Sequence, residues 1–190
     1  MRVLIIYAHP ETEGHCSYIL SKVREELEAR KLAYELVDLY QSGYDPILSR
    51  DEHYTAGHYE ISAGNQELQK KIKEGDRFIF IYPVWWGSMP AVLKGFFDRV
   101  LTPRFAYHYE GLWPKKLLKG KYASVIMTSG SPRIYFWLTG NRPKRLIKRD
   151  ILGFCGINST VFQIGNCHKF TNQKKEKLAR IAKKAVDKLF

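Results

Sequence analysis

The residues with the clearest chemical potential are two adjacent tryptophans, Trp85 and Trp86, which follow the apolar run 78–82. A short apolar run bounded by Pro83 and Gly87 is typical of a buried strand in a parallel sheet. Open α/β sheets bind their ligands at the carboxyl ends of such strands. Consecutive side chains of a strand point to opposite faces, so both indoles cannot enter one core. At least one is therefore predicted to line a surface or cleft that binds a flat molecule.

A second loop, residues 9–16, joins a predicted first strand to a predicted first helix. Backbone N–H groups at the start of a helix can bind a phosphate. The loop has neither the Gly-x-Gly-x-x-Gly pattern of dinucleotide-binding enzymes nor the Gly-Lys-Ser/Thr of a P-loop. Taken alone, it is explained equally well as a plain connecting turn.

A third loop, residues 128–132, contains small residues and hydrogen-bond donors after another predicted strand. Small residues allow a polar ring edge to approach the backbone closely. A phosphate-binding loop, an aromatic wall and a hydrogen-bonding rim at one sheet edge together predict a flavin pocket.

Five apolar runs alternate with helical patterns along the chain. Predicted strands cover residues 3–7, 35–38, 77–82, 122–127 and 159–164, and helical spacing covers residues 16–27, 66–73, 89–100, 146–152 and 174–189. This alternation predicts an α/β fold: a three-layer αβα sandwich around a five-stranded parallel sheet of order 2-1-3-4-5, in a single domain over residues 1–190. Residues 39–65 lack periodicity, and a loop of that length is usually functional or part of an interface.

Length and composition are those of one globular domain. The 190 residues are 45% hydrophobic and 26% charged, which permits a substantial core. No apolar run approaches the roughly 20 residues that cross a bilayer, and the first residues lack the pattern of a signal peptide. We therefore expect a cytoplasmic protein with no integral membrane segment. Cys16, Cys155 and Cys167 form no paired framework, and although Cys167 stands beside His168, no metal site is expected.

The net charge of +12 and the sequence pI of about 9.6 are compatible with binding to nucleic acid, anionic membranes or phosphorylated cofactors. The cations concentrate in residues 115–121, in residues 142–149 and along the final helix. That helix also carries a separate apolar stripe, so its cations form a solvated face. Charge patterning alone is weak support for a nucleic-acid partner, and none is expected.

Several short segments are distributed in order along the chain: Tyr7-Ala8-His9-Pro10, Asp38-Leu39-Tyr40, residues 45–50, Pro83-Val84-Trp85-Trp86, residues 89–100, Phe105-Ala106-Tyr107 and residues 152–156. In these segments the chain resembles the NAD(P)H:quinone oxidoreductases of the flavodoxin-like fold, including bacterial members of similar length. So many ordered matches are more specific than any single motif.

The resemblance implies a role for each loop: the first holds the flavin phosphates, the second flanks the isoalloxazine ring, and the third bonds its polar edge. The implied cofactor-binding residues are His9, Thr12, Gly14, His15, Cys16, Ser17, Pro83, Val84, Trp85, Trp86, Gly87, Thr128, Ser129 and Gly130. The implied catalytic residues are Tyr135, Tyr107 and Tyr109. The last two would come from the partner subunit of a homodimer with flavin sites at its interface.

The implied activity is that of a flavin-dependent NAD(P)H oxidoreductase. FAD is the expected flavin and FMN the alternative, with NADPH or NADH as electron donor. In two half-reactions at one site, the donor delivers hydride to the flavin and leaves, and a quinone or similar flat aromatic acceptor then takes the electrons. The alternative function is a regulatory flavoprotein subunit that docks on an ion-efflux membrane protein, as some relatives do.

The chain departs from the family pattern at several positions. The histidine that partners the family tyrosine matched by Tyr135 is replaced by Asn141, and an amide cannot relay a proton as imidazole can. Gly14 and Cys16 stand where the family often has Ser and Asn, so backbone amides and His9 or Thr12 are expected to contribute more to phosphate binding. Gly87 stands where mammalian relatives have a bulky aromatic residue, which predicts a wider pocket.

Overall fold

A five-stranded parallel sheet forms the centre of the protein. The structure, a computed structural model, describes residues 2–55, 58–111 and 113–190. The sheet strands are β1 (Arg2–Tyr7), β2 (Ala33–Asp38), β3 (Arg77–Pro83), β6 (Tyr122–Thr128) and β7 (Asn158–Ile164). They pair in parallel in the order β2-β1-β3-β6-β7, which confirms the predicted order 2-1-3-4-5.

Helices cover both faces of this sheet. They are α1 (His15–Ala29), α2 (Ala63–Glu74), α3 (Ala91–Val100), α4 (Arg133–Leu138), α5 (Arg142–Arg145), α6 (Gly153–Cys155) and α7 (Asn172–Asp187), with a π-helical stretch at Leu146–Leu152. Side chains of β1 and β3 alternate between two cores: Ile5 and Ile79 face the side of α1 and α7, whereas Ile6 and Phe80 face that of α2 and α3. β1 and β3 are nearly continuous apolar runs because both of their faces are buried.

Besides α5 and α6, which extend the predicted helix at residues 146–152 at its two ends, two elements were not predicted from the sequence. The first is an antiparallel hairpin of β4 (Tyr107–Glu110) and β5 (Trp113–Lys116), whose strands are short and largely polar. The second is α4, which at six residues is too short to show a helical period. None of the helices in the described ranges is long and apolar enough to cross a membrane.

A bidentate ion pair anchors the long segment between β2 and α2. Two guanidinium nitrogens of Arg99 each donate to a carboxylate oxygen of Glu52 at 2.8 Å, and the amide of Asn65 donates to the same carboxylate at 3.2 Å. Burial favours the neutral acid, but the hydrogen bonds from Arg99 and its neighbours outweigh it and lower the pKa of Glu52. Paired in this geometry, the charges fasten the segment to α3 and α2.

The same segment touches α3 at a position where only glycine fits. A Cβ atom added to Gly95 would overlap the backbone of Pro46, so α3 and the segment are in direct backbone contact. Because backbone atoms cannot rotate away as a flexible side chain does, a larger residue must displace the whole segment.

We predict that Gly95→Ala lowers the free energy of unfolding by about 1–3 kcal/mol, as overpacking of a tight contact does. Urea unfolding measured by circular dichroism tests this. The matched control is Gly64→Ala in α2, where an added Cβ has no atom within 4 Å; alanine there is expected to raise stability by about 0.5–1 kcal/mol. Equal effects of the two variants would contradict the close contact.

Candidate functional site

Three loops meet at one edge of the sheet because β1, β3 and β6 are neighbours. Backbone hydrogen bonds continue the pairing to the strand ends: the Ala8 N–H donates to the Ile81 carbonyl at 3.0 Å, and the Val84 N–H donates to the Thr128 carbonyl at 2.7 Å. The loops after the three strands are thereby held side by side. Pro83 ends β3 and starts the central loop.

The central loop contains a tight two-residue turn from Trp85 to Ser88. The N–H of each of these end residues donates to the carbonyl of the other at 2.9 Å, and Trp86 and Gly87 between them have positive φ angles of 51° and 72°. This is the geometry of a type I′ turn, for which Asn-Gly is the preferred pair. A non-glycine residue in this conformation costs roughly 1–2 kcal/mol. Such an outlier points to a functional constraint.

The turn presents its indole rings to solvent. Trp86 is fully exposed and Trp85 is 41% exposed, which confirms that at least one of them lines a surface. Trp86 stands at the wall of a cavity of about 510 Å³, here called the Trp86 cavity. Its other walls come from the third loop, from α4 and from the start of α5, and the lining includes Val84, Gly87, Ser129, Ser131, Tyr135, Phe136, Thr139, Arg142 and Pro143.

The first loop borders a second cavity, of about 490 Å³, whose lining includes His9, Thr12 and Ser17. Nδ1 of His9 lies 3.0 Å from the Glu11 backbone nitrogen and 3.3 Å from the Glu11 carbonyl oxygen, so the ring is held to its own loop through Nδ1. The His9 ring lies 6.2 Å from the ring of Trp85. This contact joins the first loop to the central one.

Gly14 leaves the amino end of α1 open. It occupies the N-cap position with φ 105°, and no side chain among the described residues caps the helix. The hydroxyl of Ser17 donates to the Gly14 carbonyl at 3.1 Å. The N–H groups at the helix start lack intrahelical partners and carry the positive end of the helix dipole, which favours an anion.

Cys16 and Thr128, two of the predicted cofactor residues, turn their side chains toward each other inside the protein. The Cys16 sulfur lies 3.2 Å from the Thr128 hydroxyl oxygen, and both residues are buried. Burial raises the pKa of the Cys16 thiol to about 12, so it is a neutral thiol at pH 7. The pair joins the start of α1 to the end of β6, and any cofactor contact of these residues falls to their backbone atoms.

His15, also among the predicted residues, packs away from both cavities. Its ring lies 4.9 Å from that of Phe170 in an edge-on contact. Burial lowers the pKa of His15, since it disfavours the charged ring. Its buried Nε2 has no hydrogen-bond partner among the described residues.

The loop after β7, residues 165–171, was missed by the sequence reasoning. The Cys167 N–H donates to the Ser129 carbonyl at 2.9 Å. A Cβ on Gly130 would lie 2.6 Å from the ring of His168, so the third loop and this fourth loop are in close contact there. The predicted strand order could have indicated this loop, because the carboxyl end of the fifth parallel strand lies at the same sheet edge as the other three loops.

Tyr107 and Tyr109 do not line the Trp86 cavity of their own chain. Their rings are 5.8 Å apart on β4, so they share a face as predicted. Tyr107 lines a different cavity, of about 240 Å³, together with Tyr54 and Tyr59. Burial raises the pKa of Tyr107 to about 12, so its hydroxyl is protonated at neutral pH.

Tyr135 and Asn141 line different cavities. Tyr135 lines the Trp86 cavity, is 51% exposed, and its hydroxyl makes no hydrogen bond within the described ranges. Asn141 lines a separate cavity of about 470 Å³ with Trp137 and Lys144. The structure therefore shows no side-chain relay between Tyr135 and Asn141.

We predict that Trp86→Asn raises the free energy of unfolding by about 1 kcal/mol, because the variant has the Asn-Gly pair that a type I′ turn prefers and loses no buried surface. Gly87→Ala is expected to lower it by about 1 kcal/mol or more, since φ there is +72°. Urea unfolding of both variants measures the difference. Destabilisation by Trp86→Asn would contradict the strained turn.

Comparison with known proteins agrees with this architecture. The family described as flavodoxin-like fold matches residues 1–189. The human ribosyldihydronicotinamide dehydrogenase [quinone] is 30% identical over 198 residues, which cover 93% of this chain and 86% of that protein. The solved NAD(P)H:quinone oxidoreductase from Methanothermobacter marburgensis is 28% identical with a TM-score of 0.86, over 97% of this chain and 94% of that one. An FMN-dependent NADH-azoreductase from Bacillus anthracis, solved with FMN, is 18% identical with a TM-score of 0.77, over 100% of this chain and 99% of that one, and shares the fold. The chain therefore belongs to the NAD(P)H:quinone oxidoreductase family of the flavodoxin-like fold.

Proposed function

We propose that the protein is a flavin-dependent oxidoreductase that takes electrons from NADPH or NADH and reduces quinones or similar flat aromatic acceptors in two alternating half-reactions. The observation that carries this proposal is Trp86, an exposed indole held in an unfavourable backbone conformation at the wall of the Trp86 cavity. Neither burial nor turn preference explains a tryptophan there, whereas stacking on a flat ring does. The names of the relatives support the same reaction class.

The residues fit a flavin along the sheet edge. The open start of α1 and His9 suit its phosphate, and Trp85 lies between that loop and the Trp86 cavity. The first loop lines the cavity of about 490 Å³, and the central loop lines the Trp86 cavity of about 510 Å³. The contact between His9 and Trp85 joins these two loops. When bound, a flavin supplies the two-electron chemistry that side chains lack.

The chain's own contribution is to bind, orient and polarise. His9 and the N–H groups of α1 would hold the phosphate, and the indoles would keep the ring and a second flat molecule parallel at short range. Tyr135 would donate a hydrogen bond to negative charge that develops at the ring edge. Because Asn141 lines another cavity, we propose that Tyr135 acts as a single donor and not as part of a proton relay.

The first test is an absorbance spectrum of the purified protein, followed by chromatography of any cofactor released on denaturation. We expect bands near about 375 and 450 nm that bleach anaerobically with NADPH or NADH, and the released cofactor then identifies FAD or FMN. If the protein has no such bands and neither flavin can be reconstituted, the proposal is wrong.

We further propose a homodimer in which Tyr107 and Tyr109 of one subunit complete the site of the other. Two observations support it: these tyrosines are absent from their own chain's Trp86 cavity, and the hairpin that carries them is largely exposed, with Tyr109 56% and Trp113 80% accessible. Exposed aromatic side chains on a protruding hairpin are typical of interface residues.

Hybrid dimers test this arrangement. One variant, Trp85→Ala/Trp86→Asn, lacks the aromatic wall, and the other, Tyr107→Leu/Tyr109→Leu, lacks the tyrosines. If the site is shared, denaturing the two together and refolding them creates hybrids with one intact site, and activity returns to about a quarter of the wild-type value for random C2 pairing. If the tyrosines act within their own chain, the mixture stays as inactive as each variant refolded alone.

A further inference from the structure

The short helix α4 exposes large apolar side chains that the candidate site does not use. Ile134 is 63%, Trp137 70% and Leu138 69% exposed, whereas Phe136 on the same helix is buried. We call these three exposed residues the α4 surface. A contiguous exposed group of Ile, Trp and Leu on a small soluble domain marks an interaction surface.

Cations adjoin this surface: Arg133 and Lys144 share a cavity with Ile134 and Trp137. Arg133 begins α4, and Arg142, Lys144, Arg145, Lys148 and Arg149 follow within sixteen positions. All six are exposed, and none forms an ion pair within residues 2–55, 58–111 and 113–190. We call them the basic cluster. Residues 111–175 contain thirteen Lys and Arg but one acidic residue, Asp150, so this part of the sequence, which carries the basic cluster, is strongly positive.

We propose that the α4 surface and the basic cluster bind the surface of an anionic lipid bilayer. Trp137 with Ile134 and Leu138 would enter the boundary between headgroups and acyl chains, and the six cations would bind lipid phosphates. The cavity of about 470 Å³ between Arg133, Trp137 and Lys144 suits one phosphate-bearing headgroup. Apolar side chains beside a polybasic segment are the combination that such membranes recognise.

Charge complementarity favours this partner over a second copy of the chain. A two-fold interface joins the same patch of both subunits, so it would place six unpaired cations against six. Nucleic acid would satisfy the cations, but its bases would have to unstack to bury Ile134 and Leu138, which costs free energy. An anionic bilayer satisfies both features at once.

The position of α4 connects this surface to the proposed acceptor site. Tyr135 and Phe136 line the Trp86 cavity, while the neighbouring Ile134 and Trp137 line the headgroup cavity. A bilayer bound at α4 would therefore lie next to the acceptor site. This inference rests on the proposed function, and it assigns the electron acceptor to the class of quinones dissolved in the lipid bilayer.

The test is co-sedimentation of the purified protein with vesicles of phosphatidylglycerol and phosphatidylcholine, compared with pure phosphatidylcholine vesicles. We expect binding to the anionic vesicles only, with release at high salt. Lys148→Ala/Arg149→Ala is expected to lower the partition coefficient by roughly tenfold or more, and Trp137→Ala/Leu138→Ala is expected to reduce binding while salt sensitivity remains.

Two matched controls accompany these variants. Lys183→Ala/Lys184→Ala removes two exposed cations from α7, and Phe190→Ala removes an exposed aromatic ring that follows α7. Both variants are expected to bind vesicles within about twofold of the wild type. The proposal is wrong if the controls lose as much binding as the test variants, or if the protein does not bind anionic vesicles. It is also wrong if duplex DNA displaces the protein from the vesicles and Trp137→Ala/Leu138→Ala binds that DNA as tightly as the wild type does.

Failure here is distinguishable from failure of the proposed function. All four variants keep the residues assigned to the flavin, so their visible spectra and their reduction of a water-soluble quinone are expected to equal those of the wild type. A protein that reduces soluble quinones but ignores anionic vesicles contradicts only the membrane proposal.

Discussion

The parallel pairing of β1, β3 and β6 is the constraint on which the candidate site depends. Each strand is apolar on both faces, so helices must cover the sheet on both sides and only the strand ends stay accessible. The three loops after these strands then share one edge, where a single backbone hydrogen bond from Val84 to Thr128 already joins two of them. Cys16 and Thr128 fix the start of α1 against β6 from the inside. The accessible parts of the site rest on this buried framework.

The Trp86 turn is the place where local preference and the observed structure disagree. A type I′ turn favours Asn-Gly, and an exposed tryptophan gains nothing from burial. Natural chains keep such locally unfavourable choices mainly at functional sites. The disagreement supports a ligand role for Trp86, and the open cavity beside it, with the unpartnered hydroxyl of Tyr135, supports a flat ligand with a polar edge.

Most of the framework could be predicted from the sequence. Strands buried on both faces appear as continuous apolar runs, and right-handed crossovers leave few possible strand orders. The exposure of a tryptophan followed from the alternation of side chains along an extended chain. The resemblance in turn identified the loops that carry the site.

The finer placement of side chains could not be predicted from the sequence. His15, Cys16 and Ser17 are consecutive on α1, and successive side chains of a helix point in different directions. His15 contacts Phe170, Cys16 contacts Thr128, and Ser17 lines the cavity beside the first loop. The sequence does not show which is which, because that depends on how α1 is rotated against its neighbours. Helix α4 was missed because six residues are too few to show a hydrophobic period. The contact of the loop 165–171 with the third loop was missed because it follows from the strand order and not from the residues of the loop itself.

The central claim is that the exposed indole of Trp86 binds a flavin ring. Titration of the cofactor-free protein into FAD and FMN, followed by flavin fluorescence, tests it most directly, because stacking on an indole quenches that emission. We expect the wild type to quench flavin fluorescence in a saturable way. We expect Trp86→Asn to quench it more weakly, although this variant is at least as stable as the wild type. Equal quenching by the two proteins, or none by either, would contradict the account.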